Sequence, residues 1–399
     1  MTDDPDSRPT ILIEPSRHKR AASGHPWIYS NEVRMDAAAK ALPPGSLVTL
    51  AAADGRTLGV ATFNPHTLVA ARLLDHDAKR AIDRDFLAQR IGRALALRQR
   101  LYDEPCYRLV HAEADGLPGL VIDRFGDVVV AQLNTAGMAA LEGEIVAALQ
   151  ATLAPAAIVL RNDATARATE GVADEARVVL GEIAGPVALR ENGATFVADV
   201  LGGQKTGWFY DQRENRRFVA SLASGARVLD LYCFSGGFSV AAGMRGASDI
   251  LGIDRSEPAL ALAAEAASRN GLGERCRFVR AEIFAELERM GQAAERFDIV
   301  VADPPAFVKS RKDLGPGLRG YRKLARLAAT LVAPGGMLFL ASCSHNVTAE
   351  DFAESARRGL DDAERTGRIL RSSGAAPDHP VHPALPESAY LKALTLALD

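Results

Sequence analysis

The chain has 399 residues, of which 48% are hydrophobic and 24% charged, and its formal net charge at pH 7 is −3. That length exceeds what one hydrophobic core usually supports, so we expect two or three domains, and the charge gives no global sign of nucleic-acid binding. The acidic N-terminus MTDDPDSRPT, the absence of a membrane-length apolar run and four scattered cysteines argue against secretion, membrane insertion, a disulfide framework and a metal site. We therefore expect a cytoplasmic protein.

The first half of the chain predicts two small folding units. Short β-type runs, ILIE, SLVTLAA, TLGVATF and LVAARLL, are separated by turn residues and predict a small β-barrel or sandwich over residues 1–76. A helical pattern over 80–101, the strand-like segments GLVIDRF and DVVVAQLN, a helix near 138–153 and two more strands follow. These predict an α+β connector over 77–190.

The last part, residues 191–399, alternates strand and helix as a parallel α/β sheet does. The predicted strands are RVLDLY (Arg227 to Tyr232), DILGID (Asp249 to Asp254), FDIVVAD (Phe297 to Asp303) and GMLFLAS (Gly336 to Ser342). The intervening stretch EPALALAAEAASRNGL is helical in composition and ends at Asn270-Gly271, a helix stop. The fold class is therefore α/β.

Ligands of such sheets bind at the carboxyl ends of the strands. After the first strand the small residues of CFSGGF allow close backbone approach to a ligand, and Asp254 lies 24 residues beyond Asp230, where a carboxylate can accept ribose hydroxyls. These features indicate an adenosine-type cofactor, although a Gly-Gly turn is also an ordinary strand-to-helix turn. Neither G-x-G-x-x-G nor a P-loop sequence is present, which disfavours a nicotinamide enzyme and a nucleoside triphosphatase.

The segment FDIVVADPPAF ends a predicted strand with Asp303 and two prolines. Each proline presets its own φ and extends the preceding residue, which makes a rigid corner. Asp303 can then bond a flat, nitrogen-bearing substrate, and Phe307 can stack on it. The segment resembles motif IV of class I S-adenosylmethionine-dependent methyltransferases that act on nucleobases, with VLDLYCFSGGF as motif I and Asp254 as motif II. The alternative is a turn carboxylate at a strand end.

Cys343, in LASCSHN, follows the next predicted strand and should lie across the pocket from Asp303. A thiolate that adds to carbon 6 of a pyrimidine makes carbon 5 nucleophilic enough to accept a methyl group. Exocyclic amines and guanine nitrogens need no such adduct. On spacing alone, a cysteine at such a position is more often a small buried core residue. Cys233 is expected to be a packing residue.

Nearly the whole chain is similar to the bacterial large-subunit ribosomal RNA cytosine-5 methyltransferase family, which has a PUA domain, an α+β connector and a C-terminal class I methyltransferase domain. The matching segments include GHPWIYSNEV, YRLVHAEADGLPGLVIDRFGD, KTGWFYDQRENRR, DPPAFVKSRKDL, RGYRKL, SCS and DHPVHPALPESAYLK. The resemblance implies S-adenosylmethionine as cofactor, large-subunit ribosomal RNA as substrate and a homodimer. It also implies that Cys343 is the nucleophile and that Asp303 orients the base.

The resemblance also implies two sets of binding residues. The cofactor set is Lys205, Phe209, Asp211, Arg213, Asp230, Tyr232, Phe234, Ser235, Gly236, Asp254, Arg255, Glu282 and Asp303. The substrate set is Pro304, Phe307, Lys309, Arg311, Arg319 and Tyr321. This chain has Glu282 where relatives commonly have an aspartate, Ala306 where they often have a lysine, and no second cysteine beside the prolines. The base that removes the carbon-5 proton is therefore unassigned.

Local charge favours an RNA substrate. Seven basic residues and one acid, Asp313, lie between Lys309 and Arg326, directly after the proposed base-binding corner. Basic residues at 17–20 and Arg90, Arg93, Arg98 and Arg100 would extend the track, although a solvated face is the commoner interpretation of the helix arginines. Two other functions stay open: methylation of a guanine nitrogen or exocyclic amine, and a non-catalytic RNA-binding assembly factor.

Overall fold

The structure is a computed structural model that describes residues 4–163 and 166–399. By their contacts these residues group into two compact units. The first runs from the start of the described chain to Val187 and includes Asp199–Trp208 and Asp378–Pro386; the second comprises Ala188–Ala198, Phe209–Pro377 and Glu387–Asp399. The sequence patterns did not predict that the short segments Asp199–Trp208 and Asp378–Pro386 would group with the first unit. The domain limits at residues 76 and 190 stay predictions.

The N-terminal part of the first unit is a five-stranded sheet in the order β1-β3-β4-β5-β2, in which β1 and β3 are parallel. Val48, Leu50 and Phe63 lie in its core with at most 1% exposure. The elements are β1 (Thr10–Leu12), α1 (Lys19–Ala22), β2 (Trp27–Tyr29), α2 (Ala37–Lys40), β3 (Ser46–Ala51), β4 (Thr57–Phe63) and β5 (Val69–Asp75).

A second five-stranded sheet, in the order β10-β9-β8-β7-β6, completes the first unit. Its longest helix begins after Asp83, whose carboxylate caps the helix by accepting the Phe86 N–H, and the helix predicted near 138–153 is divided at Leu141. The elements are α3 (Arg84–Leu101), β6 (Cys106–His111), β7 (Leu120–Phe125), β8 (Val128–Leu133), α4 (Ala136–Ala140), α5 (Glu142–Leu153), β9 (Ala157–Asn162), α6 (Ala166–Glu170) and β10 (Glu175–Leu180).

The second unit begins within β11 (Val187–Glu191), which forms a two-stranded hairpin with β12 (Ala194–Ala198). Asn192 and Gly193 connect its strands, and both have left-handed backbone angles, with φ of 52° and 82°. An Asn-Gly pair with two positive φ values makes the turn whose twist suits a two-residue hairpin loop. The sequence therefore encodes this hairpin locally.

The rest of the second unit is a seven-stranded sheet in the order β15-β14-β13-β16-β17-β19-β18, parallel except for the two pairings of β19. The strands are β13 (Arg227–Leu231), β14 (Asp249–Asp254), β15 (Cys276–Arg280), β16 (Phe297–Ala302), β17 (Val332–Ser342), β18 (Gly367–Ser373) and β19 (Lys392–Leu398). The helices are α7 (Arg213–Ser221), α8 (Gly237–Met244), α9 (Glu257–Arg269), α10 (Ile283–Gln292), α11 (Leu314–Leu331) and α12 (Ala349–Asp362). The predicted α/β fold is confirmed.

Strand order reverses between β13 and β16, which makes their carboxyl ends the expected ligand site. Leu229, Val300 and Leu338, on three adjacent strands, are completely buried and form part of the core beneath that edge. The helix stop predicted after α9 is confirmed, because Gly271 has a φ of 69°. No helix in the described part of the chain is both long and apolar enough to cross a membrane.

Short 3₁₀ turns connect several of these elements. Tyr210–Gln212 leads into α7, and Arg311–Asp313 leads into α11. The remaining turns are Pro5–Ser7, Ser30–Glu32, Ala112–Asp115 and Pro386–Ser388.

Candidate functional site

The loop after β13 is fixed by the Asp230 carboxylate. Asp230 is 1% exposed, and its Oδ2 accepts hydrogen bonds from the Ser239 amide (2.9 Å) and hydroxyl (2.6 Å) on α8. Burial raises the pKa of Asp230 to about 7, although the Ser239 bonds favour the ionised form. Both contacts of this oxygen join the end of β13 to α8, and cofactor binding by Asp230 stays a prediction.

The backbone of the same loop is unusual. Tyr232, Phe234 and Gly236 all have left-handed φ values, of 60°, 49° and 78°. Such angles are costly for residues with side chains and persist where the surroundings determine them. The amides of Cys233 and Gly236 donate to the carbonyls of Ile253 and Cys233, at 3.1 and 2.8 Å. The unusual backbone is therefore held by hydrogen bonds within the chain.

Asp254, at the end of β14, holds this loop from the neighbouring strand. Its carboxylate accepts the amide of Phe234 at 3.0 Å and that of Ser256 at 2.8 Å. Burial raises the pKa of the Tyr232 hydroxyl well above its usual range, with Glu282 adding to the rise and Arg255 opposing it. These charged groups therefore lie around Tyr232, and the strand-end residues predicted from sequence meet at one place.

Glu282 has a structural contact of its own. It precedes α10, and its Oε2 accepts the amide of Ala285 at 2.9 Å as an N-cap. A carboxylate that caps a helix retains lone pairs for a second donor. The cofactor role of Glu282 stays a prediction.

Asp303 follows β16 directly, and its side chain is half-buried. The two prolines after it end the strand. Loss of water around its carboxyl raises the pKa of Asp303 to about 7, and the nearby Asp211 carboxylate adds to the rise. A hydrogen bond with Gln212 and the charge of Arg216 act in the opposite direction. A carboxyl with such a pKa can hold or release a proton near neutral pH.

The segment that contains Gln212 is held by buried ion pairs. Arg216 donates to both carboxylate oxygens of Glu191, at 2.6 and 2.9 Å, and to the carbonyl of Phe209 at 2.8 Å. The Tyr390 hydroxyl donates to Asp211 Oδ2 at 2.5 Å. Sequence reasoning missed Gln212, Glu191 and Tyr390 as residues that support the site.

Cys343 lies beside the Asp303 corner. Its Sγ is 4.0 Å from the carbonyl oxygen of Pro304, and the side chain is half-buried. The two serines that flank it are fully buried, and both of their hydroxyls bond the Tyr321 hydroxyl at 2.8 Å. The Ser344 hydroxyl also accepts the amide of Val308 at 3.2 Å. The thiol therefore sits on a strand end that is tied to the loop after Asp303.

Comparison with known proteins decides what this arrangement is. Residues 147–396 match the S-adenosylmethionine-dependent methyltransferase family, and residues 11–76 match the PUA-like domain. The chain belongs to the S-adenosylmethionine-dependent methyltransferase family. Its cofactor is S-adenosylmethionine, and the family membership expected from sequence is confirmed.

Two relatives named ribosomal RNA large subunit methyltransferase I match almost end to end. The protein from Shewanella denitrificans is 36% identical over 389 residues, which cover 96% of this chain and 98% of its own. The protein from Erwinia tasmaniensis is 34% identical over 391 residues, with 96% and 97% covered. A solved structure from Streptococcus mutans, described as a SAM-dependent methyltransferase, covers 98% of this chain and 100% of its own with a TM-score of 0.81; at 22% identity it shows the fold alone.

The β13 loop of this methyltransferase fits S-adenosylmethionine. Ser235 is completely buried, and its hydroxyl has no hydrogen-bond partner among the described residues, so it is available to a ligand. A Cβ on Gly236 would lie 3.0 Å from the Ala263 Cβ, and one on Gly252 would lie 2.6 Å from the Phe278 ring. Glycine at position 236 keeps the loop close to α9, and glycine at position 252 leaves room on β14 for the Phe278 ring of β15.

Two of the predicted binding residues, Arg213 and Tyr321, are deeply buried and have contacts within the chain. Arg213 is 4% exposed, pairs with Glu191 at 3.5 Å and lies over the Tyr210 ring at 5.3 Å. Tyr321 is 3% exposed, and its hydroxyl bonds the two serines that flank Cys343. Cofactor binding by Arg213 and substrate binding by Tyr321 stay predictions.

The predicted aromatic residues of the site pack on other rings. Phe307 packs on Tyr321, with ring centroids 4.7 Å apart, and keeps part of its surface exposed. Phe209 meets Phe234 edge to face at 5.2 Å. Lys205 lies in the segment that groups with the first unit and has a left-handed φ of 52°. Binding of base or cofactor by these residues stays a prediction.

The basic segment after Pro305 divides into two parts. Arg322 pairs with Asp362 at 2.6 Å and Lys323 with Glu288 at 2.9 Å, so these charges are largely compensated. In the described parts of the chain no ion pair involves the exposed residues Lys309, Arg311, Lys312 and Arg319. The part nearest the pocket is therefore the part with uncompensated charge.

The arginines of α3 differ from the solvated face that sequence favoured. Arg98 is completely buried and bonds both carboxylate oxygens of Asp115, at 2.5 and 2.8 Å, and the carbonyls of Arg108 and Asp378. Arg90 is half-buried and pairs with Asp75 at 2.9 Å. Of the four helix arginines considered for the RNA track, Arg93 and Arg100 are the exposed pair, and RNA contact by this helix stays a prediction.

Proposed function

We propose that this methyltransferase forms 5-methylcytosine in large-subunit ribosomal RNA through a covalent adduct with Cys343. The observation that carries the proposal is the 4.0 Å approach of the Cys343 sulfur to the Pro304 carbonyl, beside Asp303. The relatives' names, at 34–36% identity over nearly the full chain, support large-subunit ribosomal RNA as the substrate. A cytoplasmic location stays a prediction from the sequence, and a homodimer stays a prediction of the family resemblance.

The chemistry follows from these two groups. The Cys343 thiolate attacks carbon 6 of the cytosine, forming a carbon–sulfur bond and moving the ring electrons to carbon 5. Asp303, protonated near neutral pH, donates a hydrogen bond to the base and offsets the negative charge that develops on it. Bound S-adenosylmethionine would supply an electrophilic methyl group, and carbon 5 would bond to that methyl as the methyl–sulfonium bond breaks, which leaves S-adenosylhomocysteine. After a base removes the carbon-5 proton, the carbon–sulfur bond breaks, the thiolate leaves and the ring double bond is restored.

The exposed basic residues identified above would bind phosphates while the target nucleotide enters the pocket. Phosphate contacts of lysine and arginine give affinity without sequence preference, and enzymes that modify a base must first take it out of the stack. The position of these residues, directly after the Asp303 corner, supports this role.

The test is transfer of labelled methyl to ribosomal RNA from a strain that lacks the enzyme, with bisulfite mapping of the product. Cys343→Ala should abolish transfer while S-adenosylmethionine still binds in calorimetry. Cys276→Ala is the matched control, because Cys276 is 6% exposed on β15. RNA that contains 5-fluorocytosine should remain covalently attached to Cys343, since fluorine at carbon 5 cannot leave as a proton would.

Three results would contradict the proposal. Undiminished transfer by Cys343→Ala would exclude the covalent route. Methyl on a guanine nitrogen or an exocyclic amine would assign a different target atom. Failure to bind S-adenosylmethionine would favour an RNA-binding assembly factor without catalysis.

A further inference from the structure

Lys392 is held against the strand end that carries Cys343. It is the first residue of β19, and its backbone pairs with Ser342 at the end of β17. Its Nζ donates to the carbonyls of Ser344 and Tyr390, both at 2.7 Å. Two main-chain bonds therefore fix a positive charge beside the residue that follows Cys343.

The charge of Lys392 has no carboxylate to balance it. The side chain is half-buried, and in the described parts of the chain no aspartate or glutamate forms an ion pair with it. Burial lowers the pKa of Lys392, and a negative charge on Cys343 raises it. A partly desolvated ammonium is stabilised by an anion nearby, and a thiolate is the anion that this strand end can provide.

Three other titratable side chains lie around this strand end. The Tyr321 hydroxyl of α11 bonds the two flanking serines, and burial raises its pKa. Asp303, on the far side of Pro304, has a pKa raised to about 7. His345 packs against Tyr390, with ring centroids 5.2 Å apart. Neither a tyrosine hydroxyl nor a carboxyl group can carry a positive charge, so Tyr321 and Asp303 cannot replace Lys392 as a cation at this strand end.

We propose that Lys392 is a positioning residue that stabilises the Cys343 thiolate and so activates the nucleophile of the methyltransferase. The inference rests on the proposed covalent function. Only the thiolate is nucleophilic, and a neighbouring lysine favours the thiolate over the thiol. When the thiolate adds to the base, its negative charge moves away from Lys392. Lys392 stays bonded to the two carbonyls, so its positive charge favours departure of the thiolate at the end of the reaction.

The test measures the thiol itself, without RNA or cofactor. Full-length wild-type enzyme, Lys392→Met and Lys392→Arg are alkylated with iodoacetamide between pH 6 and 10, and modification of Cys343 is followed by mass spectrometry. Lys323→Met, which removes a half-exposed lysine paired with Glu288 on the same unit, is the matched control. Cys106, Cys233 and Cys276 are at most 6% exposed, so their protection reports that each variant stays folded.

Lys392→Met should move the midpoint of the alkylation profile upward by about one pH unit and slow alkylation at pH 7.5 about tenfold. Lys392→Arg should keep most of the wild-type rate, because it keeps the charge. The control Lys323→Met should match wild type. An unchanged Cys343 profile in folded Lys392→Met overturns the inference, even if methyl transfer or RNA affinity falls.

The alkylation profile tests the role of Lys392 and the methyl mapping tests the proposed function, so one claim can be refuted while the other stands. An unchanged profile together with 5-methylcytosine as product would remove the role of Lys392 and leave the proposed function standing. A shifted profile with methyl on another atom would remove the covalent function, and the lysine–thiolate interaction would then serve no such adduct.

Discussion

Asp303 should make the second unit less stable as the pH rises toward neutrality. Its pKa is raised from 3.8 to about 7 in the folded protein, mainly through loss of water. The unfolded chain therefore releases this proton near pH 4, while the folded chain keeps it up to about pH 7. The stability contributed is fully present below about pH 4 and is lost as the pH rises through about 7. Asp303→Asn cannot ionise and should show no such loss.

The magnitude follows from the size of the pKa change. A shift from 3.8 to about 7 corresponds to at most about 4 kcal/mol, since each unit is about 1.4 kcal/mol. About half of that loss falls between pH 5.5 and 8. The Asp303 carboxyl keeps some contact with water, so we expect Asp303→Asn to gain about 1 to 2 kcal/mol over wild type across this range.

The assay must report the second unit alone. Both tryptophans, Trp27 and Trp208, belong to the first unit, so their fluorescence reports that unit. Cys233 and Cys276 are buried in the second unit, and their labelling by a methanethiosulfonate reagent in urea gives its unfolding midpoint at each pH.

The matched control for Asp303→Asn is Glu354→Gln, an exposed acid on α12. The pKa of Glu354 is lowered to about 2 by hydrogen bonds from Arg357 and Arg358, so the group is ionised in both states above pH 5.5 and its curve should run parallel to wild type. Asp230, whose pKa is also raised to about 7, gives the same pH-dependent loss of stability in wild type and in both variants, so it does not change the comparison. If Asp303→Asn also runs parallel to wild type, the assignment of a neutral carboxyl at this corner is refuted.

Three further variants test other parts of the site. Tyr321→Phe leaves two buried serine hydroxyls without their shared partner, so urea unfolding should show a loss of about 1 to 3 kcal/mol, and kcat should fall while the KM for S-adenosylmethionine is retained. Gly236→Ala places a side chain on a left-handed backbone 3.0 Å from its neighbour, and calorimetry should show at least tenfold weaker cofactor binding with the fold intact by circular dichroism. Lys312→Gln should reduce the slope of RNA affinity against salt concentration by about one, whereas Arg322→Gln, already paired with a carboxylate, should leave it nearly unchanged.

The strand-end residues could be predicted from sequence because each follows directly from local pattern. An apolar run ending in Asp230, Asp254 or Asp303 predicts a strand and the residue at its tip, and parallel strands bring such tips to one edge. The proximity of Cys343 to the two prolines follows by the same argument. The residue pattern of each strand and the general topology of parallel sheets were therefore sufficient to predict this part of the site.

The supporting residues could not be predicted because their partners are distant in the chain. Gln212 forms a hydrogen bond with Asp303 from a 3₁₀ turn, and no strand pattern in the sequence predicts that turn. Arg98 bonds a carbonyl 280 residues away, whereas its spacing on an arginine-rich helix predicts a solvated face. Lys392 enters the site because the last strand inserts between β17 and β18, an antiparallel pairing that its own sequence LKALTLAL does not specify.

That last strand connects the stability of the sheet to the chemistry of the site. Side chains alternate at the end of β17, where Ser342 and Ser344 point into the core and are at most 1% exposed, while Cys343 between them is half-buried. The pairing of Ser342 with Lys392 sets which lysine position reaches this end. A shift of β19 by one residue would turn Lys392 to the opposite face of the sheet and remove its ammonium from the Ser344 carbonyl. One strand register therefore determines both the buried serines that orient the thiol and the charge that we propose activates it.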